Sequence, residues 1–133
     1  MEVVDKYIQK LEIKGLTRHV FHPEGMNPLI VYVVEGSEGA TKNIMMYGHL
    51  DKQPWGAGWE EALHPTDPVI RGDYMYGRGS SDDGYSPFSC MMAVKAVQAA
   101  GGKHPRVALV LETEEESGSP NLLALLALGE PVI

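Results

Sequence analysis

The chain has 133 residues, 44% of them hydrophobic and 22% charged, which is enough for one compact domain with a buried core. Its 11 basic and 18 acidic side chains give a net charge of −7, which disfavours nucleic acid as a partner because few basic groups are available to neutralise phosphates. No apolar run approaches the length of a membrane span, so no membrane partner is expected. The single cysteine, Cys90, excludes an internal disulfide and favours a reducing, cytoplasmic location.

The first half of the chain predicts one helix and two strands. Apolar residues recur at helical spacing from about residue 3 to 11, which predicts a helix. The β-branched run Leu29–Val34 predicts a strand, and Ile44–Tyr47 predicts the next one. Residues 52–74 contain several prolines and glycines and predict a long irregular segment, which inside a compact domain is usually functional or disordered.

The second half predicts two helices around one strand. Ser86–Ala100 is apolar on most sides and has Pro87 in its first turn, as expected for a buried helix. Arg106–Leu111 is a continuous apolar run of the kind found inside parallel sheets. Pro120–Leu128 predicts a further helix. The expected fold is therefore an α/β fold with three layers, α/β/α, and a mainly parallel sheet.

Three residues in chemically dense motifs are the candidate site. His49 ends a predicted strand, Asp82 lies in a Gly- and Ser-rich segment, and Glu116 closes a run of glutamates that follows another strand. Open α/β sheets bind ligands at the carboxyl ends of their strands. The separations of 33 and 34 residues leave room for one crossover unit each. An imidazole and several carboxylates at one point would suit a zinc hydrolase, which needs N and O ligands and a spare carboxylate to activate water.

Each of these signals is weak alone. A lone His-x-Asp triplet is common, and a run of glutamates is more often a solvated acidic surface than a site. The segment Gly77–Ser80 lacks the lysine and the spacing of a phosphate-binding P-loop. The remaining histidines match no motif and are interpreted as surface or loop residues: His19, His22, His64 and His104.

In combination, the motifs resemble those of the M20 metallopeptidases, a family that includes cytosolic dipeptidases, carnosinase-like enzymes and glutamate carboxypeptidases. The matching segments are Gly48–Pro54, Tyr76–Asp83 and Glu115–Ser119, in the family's order and at about its spacing. The resemblance covers roughly residues 29–128. It implies that residues 1–133 are the N-terminal portion of a metallopeptidase catalytic domain, without the second, dimerising domain and the C-terminal part.

The resemblance also implies a role for each site residue. His49 would bind one zinc ion, Asp82 would bridge two, and Glu116 would bind the second. Glu115 would be the general base that takes a proton from the attacking water, and Asp51 would orient the ring of His49. The complete site would hold two Zn²⁺ ions, with Mn²⁺ or Co²⁺ as substitutes.

The implied activity is dinuclear zinc-dependent hydrolysis of peptide bonds in dipeptides or small peptides, by a dipeptidase or carboxypeptidase that forms a homodimer through the absent domain. Three ligands are few for two ions, because catalytic zinc usually has three protein ligands of its own. The 133-residue chain alone is therefore expected to be inactive. The alternatives are a metal-dependent amino-acid deacylase and a metal-free, inactive interaction module. The resemblance further suggests a cis peptide bond between Asp82 and Asp83.

Overall fold

The computed structural model describes residues 1–133 and contains three helices, a four-stranded sheet and a separate two-stranded hairpin. In chain order the elements are α1 (Glu2–Lys10), β1 (Leu16–Phe21), β2 (Leu29–Val34), β3 (Asn43–His49), β4 (Val69–Arg71), β5 (Tyr74–Tyr76), α2 (Ser86–Ala99), β6 (Arg106–Glu112), a 3-10 turn (Glu115–Ser117) and α3 (Leu122–Gly129). No helix has the length and apolar character needed to cross a bilayer. All peptide bonds are trans, so the cis bond that the resemblance suggests between Asp82 and Asp83 is not seen.

The four-stranded sheet is mixed, with the strand order β1-β2-β6-β3. β1 pairs antiparallel with β2, β2 pairs antiparallel with β6, and only β3 and β6 run parallel. The α/β fold is confirmed, but the expectation of a mainly parallel sheet is wrong. The loop of residues 22–28 between β1 and β2 is too short for a crossover, so these two strands must form an antiparallel hairpin.

Helices cover both faces of this sheet. On one face α1 and α2 contribute Val4, Ile8, Met91 and Val94, which pack on Ile30, Tyr32, Val34, Val107, Leu109 and Leu111. On the other face α3 contributes Leu125, which packs on Leu29, Val31, Val33, Ala108 and Val110. Burial on both faces explains why β2 and β6 are continuous apolar runs, since neither face of these strands meets water. The same property misled the prediction of parallel pairing.

The parallel pair β3–β6 positions the candidate site. In their register His49 lies opposite Glu112, the last residue of β6. Leu50 then donates its backbone N–H to the carbonyl of Glu112, so the two chains leave the sheet side by side. The loop that follows β3 therefore begins beside the segment that follows β6, which carries the adjacent glutamates.

Candidate metal centre

The structure brings His49, Asp82 and Glu116 together. Each offers one ligand atom, and these atoms all lie within 4.8 Å of one another. The Nε2 atom of His49 is 3.0 Å from an oxygen of Asp82. His49 is buried, whereas Asp82 is exposed to solvent. Residues that are far apart in the sequence thus form one small cluster at the carboxyl ends of β3 and β6.

The ring of His49 is oriented by the chain that follows it. Its Nδ1 lies 3.2 Å from the carbonyl oxygen of Asp51, which can only accept, so Nδ1 is the protonated donor. Nε2 therefore faces Asp82 and the cluster. Burial alone would lower the pKa of His49, but the contacts with Asp82 and the Asp51 carbonyl, and the charges of Glu115 and Asp51, outweigh it and raise this pKa. Protonation of the ring is therefore favoured while the surrounding carboxylates are charged.

The carboxylate of Asp51 has a second task that the sequence did not indicate. Its oxygens accept the backbone N–H groups of Glu115, at 3.2 Å, and of Glu116, at 2.9 Å. The nearest carboxylate oxygen is 3.5 Å from Nδ1 of His49, longer than a hydrogen bond should be. Asp51 thus orients His49 mainly through its carbonyl and holds the 3-10 turn of the glutamates through its side chain.

Of the three adjacent glutamates, two face the cluster. An oxygen of Glu115 lies 3.9 Å from Nε2 of His49, and its side chain is about half exposed. Glu114 instead accepts two contacts from the Asn121 amide, at 3.2 and 2.9 Å. Glu115 therefore stands beside the candidate ligands without being needed to close the cluster, which is the position that a general base requires.

Asp83 fixes the backbone under the site. Its buried carboxylate accepts the backbone N–H groups of His49, Gly84 and Ser86, at 3.1, 2.6 and 3.2 Å, and the hydroxyl of Ser86. Burial alone would raise the pKa of Asp83, but these hydrogen bonds outweigh it and lower the pKa. A side chain at Gly48 would collide with the Ser86 hydroxyl, so only glycine lets β3 approach α2 this closely.

Glu112 is a further acidic residue that the sequence analysis did not select. It is almost fully buried at the end of β6 and accepts a hydrogen bond from the Tyr47 hydroxyl. Burial and this hydrogen bond raise the pKa of Tyr47 above its usual range. The sequence feature that could have identified Glu112 is its position as the first glutamate after the apolar run of β6.

The donor set fits a divalent cation. One imidazole nitrogen and several carboxylate oxygens are ligands that Zn²⁺, Mn²⁺ and Co²⁺ accept. Asp82 and Glu115 have His49 as their only ion-pair partner, and no Lys or Arg nitrogen lies within 4.0 Å of Glu116. The nearby Lys52 donates to backbone carbonyls instead. Apart from His49, the clustered negative charge therefore has no protein cation within 4.0 Å to balance it.

Comparison with known proteins gives consistent matches. Residues 45–132 match the family described as Peptidase family M20/M25/M40. The chain is 32% identical to the Cys-Gly metallodipeptidase of Candida albicans over 103 residues, which are 75% of this chain and 21% of that protein. It is 33% identical to the succinyl-diaminopimelate desuccinylase of a Nitratiruptor species over 118 residues, which are 87% of this chain and 28% of that protein.

The fold is also found in solved structures. Human carnosine dipeptidase 1 superimposes with a TM-score of 0.78 at 25% identity, over 99% of this chain and 29% of that one. The chain therefore spans between about a fifth and a third of the length of the proteins that it matches.

Proposed function

The chain belongs to peptidase family M20/M25/M40, and from this premise we propose that it is part of a metal-dependent hydrolase that cleaves the peptide bond of dipeptides or other small peptides. The observation that carries the proposal is the convergence of His49, Asp82 and Glu116 within 4.8 Å. The helices on both faces of the sheet support an assignment to a three-layer α/β/α catalytic domain. The lone cysteine supports a cytoplasmic location.

In this proposal His49 and Glu116 would each hold one of two Zn²⁺ ions, with Mn²⁺ or Co²⁺ as substitutes, and Asp82 would contribute to holding both. The bound ions would polarise the scissile carbonyl and lower the pKa of the attacking water. Glu115 would accept the proton of this water and pass it to the leaving amine. Asp51 would keep both His49 and the glutamates in place through the contacts described above.

Removal of an acyl group from an amino acid is the second candidate reaction. It is favoured by the similarity to a desuccinylase, which is as high as the similarity to a dipeptidase. Both reactions hydrolyse an amide bond and need the same acid-base chemistry. A panel of dipeptides and N-acyl amino acids, assayed with added Zn²⁺ or Mn²⁺, separates the two because only the second group lacks a free α-amine.

We further propose that activity requires ligands beyond the three seen here, together with a second domain that dimerises and helps to hold the substrate. Alone, the 133-residue chain should bind zinc weakly and sub-stoichiometrically, because catalytic zinc usually has three protein ligands. The test is metal content by mass spectrometry after gel filtration, with hydrolysis assays in parallel. Two tightly held ions with turnover would contradict this requirement, and no binding at saturating zinc would favour a metal-free interaction module.

Two substitutions test the roles within the glutamate run in any active form of the protein. Glu115→Gln should retain the metal but lose turnover by orders of magnitude, because an amide cannot accept the proton. Glu116→Gln should lower metal occupancy. Glu114→Gln is the matched control and should change neither, since Glu114 binds Asn121. The opposite pattern for the first two variants would move the assignment by one residue.

A further inference from the structure

We propose that Gln53 is a positioning residue that makes Glu116 present a single carboxylate oxygen to the metal. The proposal rests on the function proposed above. The Nε2 atom of Gln53 donates to Oε2 of Glu116 at 2.7 Å and lies 3.3 Å from the carbonyl oxygen of the same residue. One amide thus contacts both the side chain and the backbone of a candidate ligand.

This contact makes the two carboxylate oxygens of Glu116 different from each other. Oε2 accepts from Gln53, whereas Oε1 accepts no hydrogen bond from the chain. A carboxylate held in this way should bind an ion mainly through Oε1, because the hydrogen bond from the amide occupies one lone pair of Oε2 and holds the carboxylate in one orientation. Partners that orient a metal ligand typically change metal affinity about 10- to 100-fold when they are removed.

Gln53 and Asp51 both contact the 3-10 turn that carries Glu116. The Asp51 carboxylate holds the backbone N–H groups of Glu115 and Glu116, and Gln53 holds the Glu116 side chain. Backbone and side chain of the ligand are thus fixed by residues only two positions apart. Without Gln53, the backbone would stay in place and the carboxylate would rotate, so the loss should appear in metal binding and not in folding.

Lys52 supports this arrangement by fixing the loop that carries Gln53. Its Nζ donates to the carbonyl oxygens of Leu50, at 3.0 Å, and Asp51, at 3.1 Å. Its side chain lies against Gly79, where any Cβ would collide with it. Although Gln53 is exposed, the chain on its N-terminal side is therefore anchored, which lowers the entropy lost when its amide binds Glu116.

A metal-free experiment tests the contact itself. The side-chain amide of Gln53 is assigned in a ¹⁵N–¹H correlation spectrum of the 133-residue chain by its disappearance in Gln53→Met. Glu116→Ala should shift this signal and leave that of Gln98 unchanged. Gln98 is the internal control because it binds the carbonyl of Lys14, and its other partner is His104. An unshifted Gln53 signal would overturn the inference whether or not the chain binds metal.

A second experiment tests the effect on the metal, with Co²⁺ as the probe. Calorimetric titration should give a Co²⁺ affinity about 10- to 100-fold weaker for Gln53→Met and unchanged for Gln98→Met, with thermal unfolding confirming that both variants fold. The visible absorption of bound Co²⁺ should weaken in Gln53→Met, because binding through both oxygens of Glu116 raises the coordination number. A purely structural effect would leave this absorption unchanged.

The outcomes are distinguishable. If the unmodified chain binds Co²⁺ and Gln53→Met binds it equally well with the same absorption, the positioning role is wrong and the metal centre stands. If the unmodified chain fails to bind Co²⁺ at millimolar concentration, the metal centre in this chain is wrong, and the role of Gln53 in it fails as well.

Discussion

Asp83 shows how much of the candidate site depends on a residue that is not one of the candidate ligands. It joins the backbone of His49 to the start of α2 through Gly84 and Ser86. The accepted N–H groups of His49 and Ser86 would otherwise be buried without a partner, and such donors cost about 1–3 kcal/mol each. The candidate ligand His49 is therefore held at its backbone N–H by Asp83 and at its ring by the carbonyl of Asp51.

The first prediction concerns this carboxylate. Asp83→Asn should lower the free energy of unfolding by about 2–3 kcal/mol. The reason is that the NH₂ group of asparagine would face backbone N–H groups, which are themselves donors and cannot accept its hydrogen bonds. The measurement is urea unfolding at neutral pH, with Asp73→Asn, in an exposed turn, as the matched control that should change little.

The pH dependence of stability should follow from the same group. Because the pKa of Asp83 is lowered by folding, its stabilisation is present above the pKa of an unfolded aspartate, about 4, and is lost as the pH falls through the folded value. The unfolding free energy of Asp83→Asn should therefore decline less in acid than that of the unmodified chain. Equal acid slopes for the two proteins would contradict the assignment.

Sequence motifs identified the candidate ligands but not the residues that position them. His49 and Glu116 were predictable because each follows a strand, and the ends of β3 and β6 lie side by side in the parallel pair. The contacts of Asp51 and Gln53 with the glutamate turn join residues 63 to 65 positions apart. Such contacts depend on the path of two loops, which no periodicity in the sequence records.

Among the elements, β1, the β4–β5 hairpin and the pairing of the sheet were the features that the sequence did not reveal; the hairpin lies largely in the segment of residues 52–74 that was expected to be irregular. Three of the six residues of β1 are polar and three of the six are exposed, so it lacks the apolar run that identified β2 and β6. It is nevertheless held in the sheet by full pairing with β2. One of its residues, Arg18, also contacts Asp5 of α1 at 2.6 and 3.1 Å. Strand formation here follows from tertiary contacts that local propensity does not contain.

The link between α1 and the sheet gives a prediction about alkaline pH. The hydroxyl of Tyr32 in β2 donates a hydrogen bond to Asp5. Burial, and to a lesser extent this hydrogen bond, raises the pKa of Tyr32 despite the opposing effect of Arg18. A raised pKa stabilises the folded state fully below the unfolded value of about 10, and this contribution is lost as the pH rises towards the folded value. The free energy of unfolding should therefore fall above pH 10.

Guanidinium unfolding between pH 8 and 11 measures this effect. Tyr32→Phe should have a shallower alkaline decline than the unmodified chain, with the remaining slope due partly to Tyr47, whose pKa is also raised. Tyr74→Phe is the matched control, because Tyr74 is 70% exposed and has no such partner. If Tyr32→Phe kept the full alkaline slope, the hydrogen bond to Asp5 would not be a source of stability.

In the molecule as a whole, β3 combines the candidate metal ligand with an open strand edge. The strand order places β3 at one side of the sheet, paired only with β6. Its residues Ile44, Met45 and Tyr47 are 44%, 58% and 45% exposed. A long apolar edge with unpaired backbone groups is a template for another strand. The carboxyl end of this strand carries the site, so pairing along the edge would also bring a neighbouring chain close to His49.

The last prediction follows from this edge. The 133-residue chain should self-associate with rising concentration, and Met45→Lys should suppress the association because a charged edge residue opposes pairing with another strand. Leu123→Lys is the matched control, since it places the same charge on α3, where Leu123 is 83% exposed but presents no strand edge. Sedimentation velocity over a hundredfold range of concentration should show suppression by the first variant only. Equal suppression by both would indicate that general hydrophobic exposure, and not the edge of β3, drives the association.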